Sequence, residues 1–283
     1  MKKIFTILSA GAVALVLTAC NNSATPTKET TATSSLTLEQ VYDKAMDRQA
    51  DVKSMSASMD MTQVMKFGAG EESMDMNIGS QMEIDMITKP LAMHLSGSMT
   101  MPDVFSGGAE NSSLPIEMYM KQDQGFFMKD PTTEVWMKLP SEEFDAILDQ
   151  TAASANAKEQ LEQLKQYIDD FTFEQTDDSY VLTLNAKGDQ FKELIQSEVN
   201  KSLGTGENPL EGLTIDKANY VIHIDKETFD TNKIDMNFDL KMSVEGQEST
   251  IQTKSVVTYT EINHLDTIDI PQSIIDSATV VEN

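Results

Sequence analysis

Between Ser73 and Thr88 the chain alternates without a slip. Met74, Met76, Ile78, Met82, Ile84 and Met86 fall on even positions, with Asp75, Asn77, Gly79, Gln81, Glu83 and Asp85 between them. A period of two is the mark of a strand whose side chains point alternately to two faces, one dry and one wet. A helix would scatter the same residues around its circumference. The pattern recurs in Met55, Ala57, Met59 and Met61, in Leu91, Met93, Leu95, Met99 and Met101, and in Ile116, Met118 and Met120. Phe126-Phe127-Met128 and Val135-Trp136-Met137 read as two short strands about a turn at 129–133. Together these segments predict an antiparallel meander with one apolar face.

Elsewhere the period changes. Thr37 at the N-cap and Gln40 at N3 form a capping box, and Leu36 and Val41 can staple it. Leu38, Val41 and Ala45 then share one helical face, which predicts a helix over 37–50. Helical spacing returns in Phe144, Ile147 and Leu148, in Leu161, Leu164, Ile168 and Phe171, and from Asp189 to Leu203. A Gly-rich loop is expected at 204–212. Strands are expected at Phe171–Thr176, Tyr180–Asn185, Asn219–Asp225, Lys233–Val244 and Ile251–Tyr259, with a short terminal helix possible after Pro271. Strands, then helices, then strands, without regular βαβ alternation, give an α+β class.

The N-terminus has a different character. Lys2 and Lys3 precede an apolar run from Ile4 to Leu17. Some 14 residues are too few to span a bilayer, which takes about 20, but suit the core of a signal peptide. The run ends in Leu17-Thr18-Ala19-Cys20, which resembles the bacterial lipobox. That resemblance implies a signal peptide over 1–19, diacylglyceryl and acyl (palmitate-type) groups on Cys20, and a lipid anchor at the extracytoplasmic face of the cell membrane. Cys20 is the only cysteine, so the chain has no disulfide and must fold on its core alone. Residues 21–35 are polar and low in complexity; with Cys20 they read as a flexible tether of roughly 20 Å mean reach. A single domain over 36–283 follows.

Twenty-one Lys and Arg against 46 Asp and Glu leave a formal charge of −25. Nucleic-acid binding requires clustered cations, so that class of partner is excluded.

Tyr220-Val-Ile-His-Ile-Asp225-Lys-Glu-Thr228, Thr258-Tyr259-Thr-Glu-Ile-Asn263 and Ile268-Asp-Ile-Pro271 carry a further likeness, together with the lipobox, the capped helix and Trp136-Met-Lys-Leu-Pro140. In element order over about 36–275 the chain resembles Gram-positive lipoproteins of the DUF6612 type. These are similar to the LolA-like and LprG/LppX-like superfamily of lipid carriers. The resemblance implies a strongly curved antiparallel sheet, an incomplete β-barrel, with helices packed in its concave face around an apolar cavity. It implies no catalytic residues and no cofactor.

Sixteen of the 19 methionines lie between Met46 and Met137. Met is a weaker strand former than Val or Ile, so propensity does not account for them. One reading is a plain sheet core, belonging to an interaction or sensor module. Another is a pliable cavity wall for a lipid or other hydrophobic ligand, since Met is flexible and polarizable. Its candidate lining is Met59, Met61, Met74, Met76, Met82, Met86, Met93, Met99, Met118 and Met120. A third is Cu(I) held by thioether pairs such as Met59/Met61 and Met74/Met76, with His94 nearby; no metal-ligand set beyond these pairs is expected.

Enzyme chemistry has little to stand on. His94, His223 and His264 are scattered, and no nucleophile elbow, metalloprotease helix or phosphate loop is present. Asp169-Asp170 and Asp177-Asp178 read as solvated loop charge, Asp225 and Asp230 lack a calcium-loop pattern, and His264 reads as a surface residue.

Overall fold

The structure is a computed structural model that describes residues 23–68, 74–101, 112–141, 144–145, 147–148, 162, 165, 167–186, 213–244 and 247–281. Period-two segments pair into one sheet of 13 strands: β1 (Thr25–Pro26), β2 (Ser54–Phe67), β3 (Met74–Thr88), β4 (Leu91–Met101), β5 (Ser112–Lys121), β6 (Gly125–Lys129), β7 (Trp136–Lys138), β8 (Phe171–Gln175), β9 (Ser179–Ala186), β10 (Leu213–Asp225), β11 (Thr231–Val244), β12 (Gln247–Ile262) and β13 (Thr279–Val280). Their order is β1-β8-β9-β10-β11-β12-β2-β3-β4-β5-β6-β7-β13. The sheet is large, curved and unclosed, antiparallel except at its outermost pairings, where β1 joins β8 and β13 joins β7 in parallel. The outermost strands, β1 and β13, are two residues each.

Register fixes the faces. Met59 pairs with Met82 and Val257, and Met82 with Gly97. Val257 pairs with Ile234, and Ile234 with Ile222. Directly paired residues share a face, so the odd positions of β2 and the even positions of β3 lie on one continuous surface, the methionine face. No register shift interrupts β2 against β3, or β3 against β4.

Helix α1 (Leu38–Ala50) starts at the expected capping box, with Thr37 and Gln40 bonded reciprocally. Its buried Leu38, Val41, Tyr42 and Ala45 pack with Phe171, Phe173, Tyr180, Leu182, Leu184, Ile222 and Ile224 on the β8–β10 flank of the methionine face. Completely buried Leu182 and Leu184 each contribute on the order of 1.5–3 kcal/mol. On the other flank, Phe144, Ile147 and Leu148, all helical, pack with Leu91, Met120, Phe126, Met86, Met93, Met118 and Met128. A third cluster sits on the opposite face, where Ile270, and Ile274 from helix α2 (Gln272–Ser277), cover Phe127, Tyr119 and Trp136.

Some expectations give way. Ile168 lies in a 3₁₀ turn over Ile168–Asp170 and Phe171 opens β8, so neither extends a helix from Leu161. Strand β10 begins at Leu213, six residues before Asn219; a register shift between Ile215 and Lys217 breaks the alternation there. The expected helix at 189–203 and loop at 204–212 lie outside the described residues.

The segment expected to be a flexible tether is docked from Ser23 onward. Ala24 is buried, and the Gln175 side chain donates to the carbonyls of Ala24 and Ser34 while accepting from Ser34 N–H. Asp177 accepts from Thr31 N–H at 2.6 Å and Ala32 N–H at 2.9 Å. Lys226 Nζ donates to the carbonyls of Ala32 and Thr176. These partners are supplied by the β8–β9 and β10–β11 turns and satisfy backbone groups that would otherwise need water.

Candidate functional site

The two flanks of the methionine face are filled by the clusters just described, which, among the described residues, do not extend over the strands between them. Met59, Met61, Met76, Met82 and Met99 are half-buried and belong to none of the three buried clusters among the described residues. They share the face with Ile78 and Ile84 on β3 and Val257 on β12. Together they make a partly exposed run of thioether and aliphatic groups on the middle strands.

The ten candidate methionines therefore divide. Met120 is 0% exposed, and with Met86, Met93 and Met118 it packs against Phe144, Ile147 and Leu148. These four fill a core. Met74 is 48% exposed at the first position of β3, opposite Phe67, and lines no enclosed space. Met59, Met61, Met76, Met82 and Met99 remain.

The copper set does not assemble. Met59 pairs with Met82 and Met61 with Ser80, whereas Met76 pairs with Met65 and Met74 with Phe67. Four residues separate Met61 from Met65, roughly 13 Å along a strand, so Met59/Met61 and Met74/Met76 lie at different ends of the hairpin. His94 is on the opposite face from Met93, stacked on Tyr119 with ring centroids 4.2 Å apart. Alternation itself forbids its imidazole from joining those thioethers.

Two serines interrupt the patch. Ser80 and Ser255 both pair with Met61, one from each side, so both hydroxyls lie on the methionine face. They are 3% and 5% exposed, and among the described residues neither Oγ has a hydrogen-bond partner. Gln63, paired with Thr253 across the same two strands, donates from Nε2 to Thr253 Oγ1 at 3.2 Å. Sequence reasoning passed over Ser80, although it is the one even position from 74 to 86 without a large apolar residue.

A depression of about 450 Å³ lies on the opposite face, lined by Asp60, Thr62, Gln81, Thr100 and Lys254 among others. Its lining is mostly the polar half of the same alternation, with Val256 and parts of Met61 and Ser80, and Gln81 donates to Asp60 at 3.0 Å.

The carboxylates singled out in the loops hold structure. Asp177 caps the docked N-terminal segment, and those backbone N–H bonds hold its pKa below the ordinary value. Asp225 accepts from Glu227 and Thr228 N–H in its own turn, and Asp230 binds Arg48 through two bonds of 2.6 and 3.2 Å. His223 lies 3.4 Å from Asp235, and burial together with Lys233 lowers its pKa. His264 is exposed.

A model of a family of unknown function, DUF6612, matches residues 37–279. The chain belongs to that family. The match runs from the N-cap of α1 into β13 and so spans the capped helix, the methionine face and α2. No curated protein matches the chain in sequence. Among solved structures it is similar to a LolA superfamily protein of Nitrosomonas europaea, at 13% identity, 85% of this chain, 97% of that one and a TM-score of 0.20. A β-barrel-like DUF1849 protein of Brucella abortus matches at 9% identity, 74% and 99% coverage and a TM-score of 0.23. A putative outer membrane lipoprotein-sorting protein domain of Vibrio parahaemolyticus matches at 10% identity, 84% and 99% coverage and a TM-score of 0.18.

Proposed function

We propose that this DUF6612 protein is a non-enzymatic, lipid-anchored carrier or receptor for a hydrophobic ligand at the extracytoplasmic face of the cell membrane. The ligand would lie on the methionine face between its two packed flanks. The observation that carries the reading is the patch of Met59, Met61, Met82 and Met99, half-buried on the same face that α1 and the helical residues near Phe144 pack against. Acyl chains entering this space would lose water, each methylene contributing about 0.8 kcal/mol. Thioethers suit the task because they adapt to chains of different shape. In this reading the curved sheet holds its helices in the concave side.

Anchoring rests on the lipobox at Cys20. No helix among the described residues is long and apolar enough to cross a membrane. Because Ser23 is already bridged to Thr37, two residues, Asn21 and Asn22, lie between Cys20 and the first docked residue, three Cα-to-Cα steps in all. Extended, they span about 11 Å at most. The anchor would then hold the β1–β8 margin close to the bilayer, within reach of ligands leaving it.

Native mass spectrometry of the full chain extracted from membranes tests the proposal. A lipid-sized adduct beyond the mass of the anchor supports it. A protein with no adduct that also fails to bind an added apolar dye contradicts it, and leaves a filled core that serves a protein partner instead.

A further inference from the structure

The methionine face carries hydroxyls as well as thioethers. Ser80 and Ser255 flank Met61 on neighbouring strands, two strand spacings or roughly 9.5 Å apart. Both are more than nine-tenths buried, and among the described residues both Oγ atoms lack a partner. Buried hydroxyls in native proteins are mostly bonded, so an unbonded one calls for an explanation, such as strain, an ordered water or ion, or a functional partner. The neighbouring polar residues, Gln63 and Thr253, bond to each other and not to either serine.

We propose that Ser80 and Ser255 form a neutral polar anchor, donating hydrogen bonds to the ester carbonyls of a diacyl lipid whose chains lie along the methionines. The chemistry selects the acceptor. A hydroxyl gives one donor hydrogen, and an ester carbonyl is an uncharged acceptor. A phosphate or a free carboxylate buried here would need a cation, and the residues in register with Ser80 and Ser255, namely Met236, Met61 and Met99, offer none. An ester can descend between the thioethers while a charged headgroup stays at the rim. Ser255–Met61–Ser80 would thus set which lipids bind, and the methionines how tightly. The inference rests on the hydrophobic-ligand reading above and names the class of ligand.

The test compares two photoactivatable lipids of equal chain length in vesicles bearing the full-length anchored protein. One is a diester glycerolipid, the other the matching diether, which lacks both carbonyls. Labelling is read as yield on peptides containing Met59, Met61 and Met82. The wild-type protein should favour the diester by about tenfold, as one to two hydrogen bonds would give. Ser80→Ala/Ser255→Ala should label equally with both lipids, at the diether yield of the wild type. Ser80→Thr/Ser255→Thr, which keeps both hydroxyls, should retain the preference. Equal labelling of the wild type by diester and diether overturns the anchor while leaving hydrophobic binding intact. Labelling by neither overturns the anchor and the reading beneath it. Equal wild-type labelling overturns the anchor by itself, so failure of a variant to fold does not protect the proposal, and a folded Ser80→Ala/Ser255→Ala protein that keeps the diester preference overturns it as well.

Discussion

Gly97 lies on the methionine face opposite Met82, where β3 and β4 approach so closely that any side chain collides with backbone. A Cβ added there would stand 2.1 Å from the Gln81 carbonyl oxygen and 2.8 Å from Met82 Cα. The first distance is 1.3 Å short of 3.4 Å, where ordinary contact begins. Backbone cannot rotate away as a flexible side chain can, so the strand pair would have to part. Overpacking of this kind costs about 1–3 kcal/mol. Alanine would also stiffen the unfolded chain, returning about 0.4–1 kcal/mol. The net expectation for Gly97→Ala is a destabilisation of about 1–2 kcal/mol, read as a lower urea midpoint at unchanged slope. Gly79 provides the matched control in the same hairpin. There a Cβ would meet only Thr100 Oγ1 at 3.6 Å and its Cβ at 3.9 Å, so Gly79→Ala should be neutral or gain up to about 1 kcal/mol. Equal midpoints for the two variants, or a more stable Gly97→Ala, would refute the close approach of β3 and β4.

Other consequences follow from the same contacts. Met120→Ala empties a fully buried site among Leu91, Phe126 and Phe144 and should cost about 2–5 kcal/mol by denaturant titration, with ligand binding retained wherever the protein stays folded. Thr37→Ala removes the capping box of α1 and should cost about 1 kcal/mol, with Thr37→Ser close to the wild type. Gln175→Ala frees Ala24 and Ser34 from their shared partner, so limited proteolysis should cut within 24–36 much faster than in the wild type. Acid should do the same through Asp177. Its folded pKa lies below the ordinary value, so its contribution is complete above roughly pH 4–5 and fades as pH falls through the lowered value. Hydrogen exchange at Thr31 and Ala32 should quicken over that range, and Asp177→Asn should abolish the pH dependence.

Much of the sheet was legible because alternation and register are two readings of one geometry. Once Met59 and Met82 are placed on strands joined by a short hairpin, the pairing of Met55 with Met86 follows from counting. The capping box marked α1 to within a residue. What sequence could not carry was set by distant partners. Residues 23–35 have the composition of a tether, and nothing local announces that Gln175, Asp177 and Lys226, some 140 to 190 positions away, bind their backbone. The methionines looked alike in sequence, yet Met120 and Met82 differ in fate because Phe144 covers one and not the other. Ile168 and Phe171 kept helical spacing but were claimed by a turn and by pairing with β9. Ser80 and Ser255 gained meaning only when register set them on either side of Met61.

Oxidation of individual methionines by peroxide, followed by peptide mass spectrometry, tests the proposed ligand face most directly, since sulfoxide forms where the thioether is reached from solvent. Met74, 48% exposed, should oxidise quickly and Met120, 0% exposed, slowly, whether or not lipid is present. Met59, Met61, Met82 and Met99 should oxidise at intermediate rates in delipidated protein and become protected when diacyl lipid is added. Rates for these four that match Met120 without lipid, or that lipid leaves unchanged, would contradict a ligand on the methionine face.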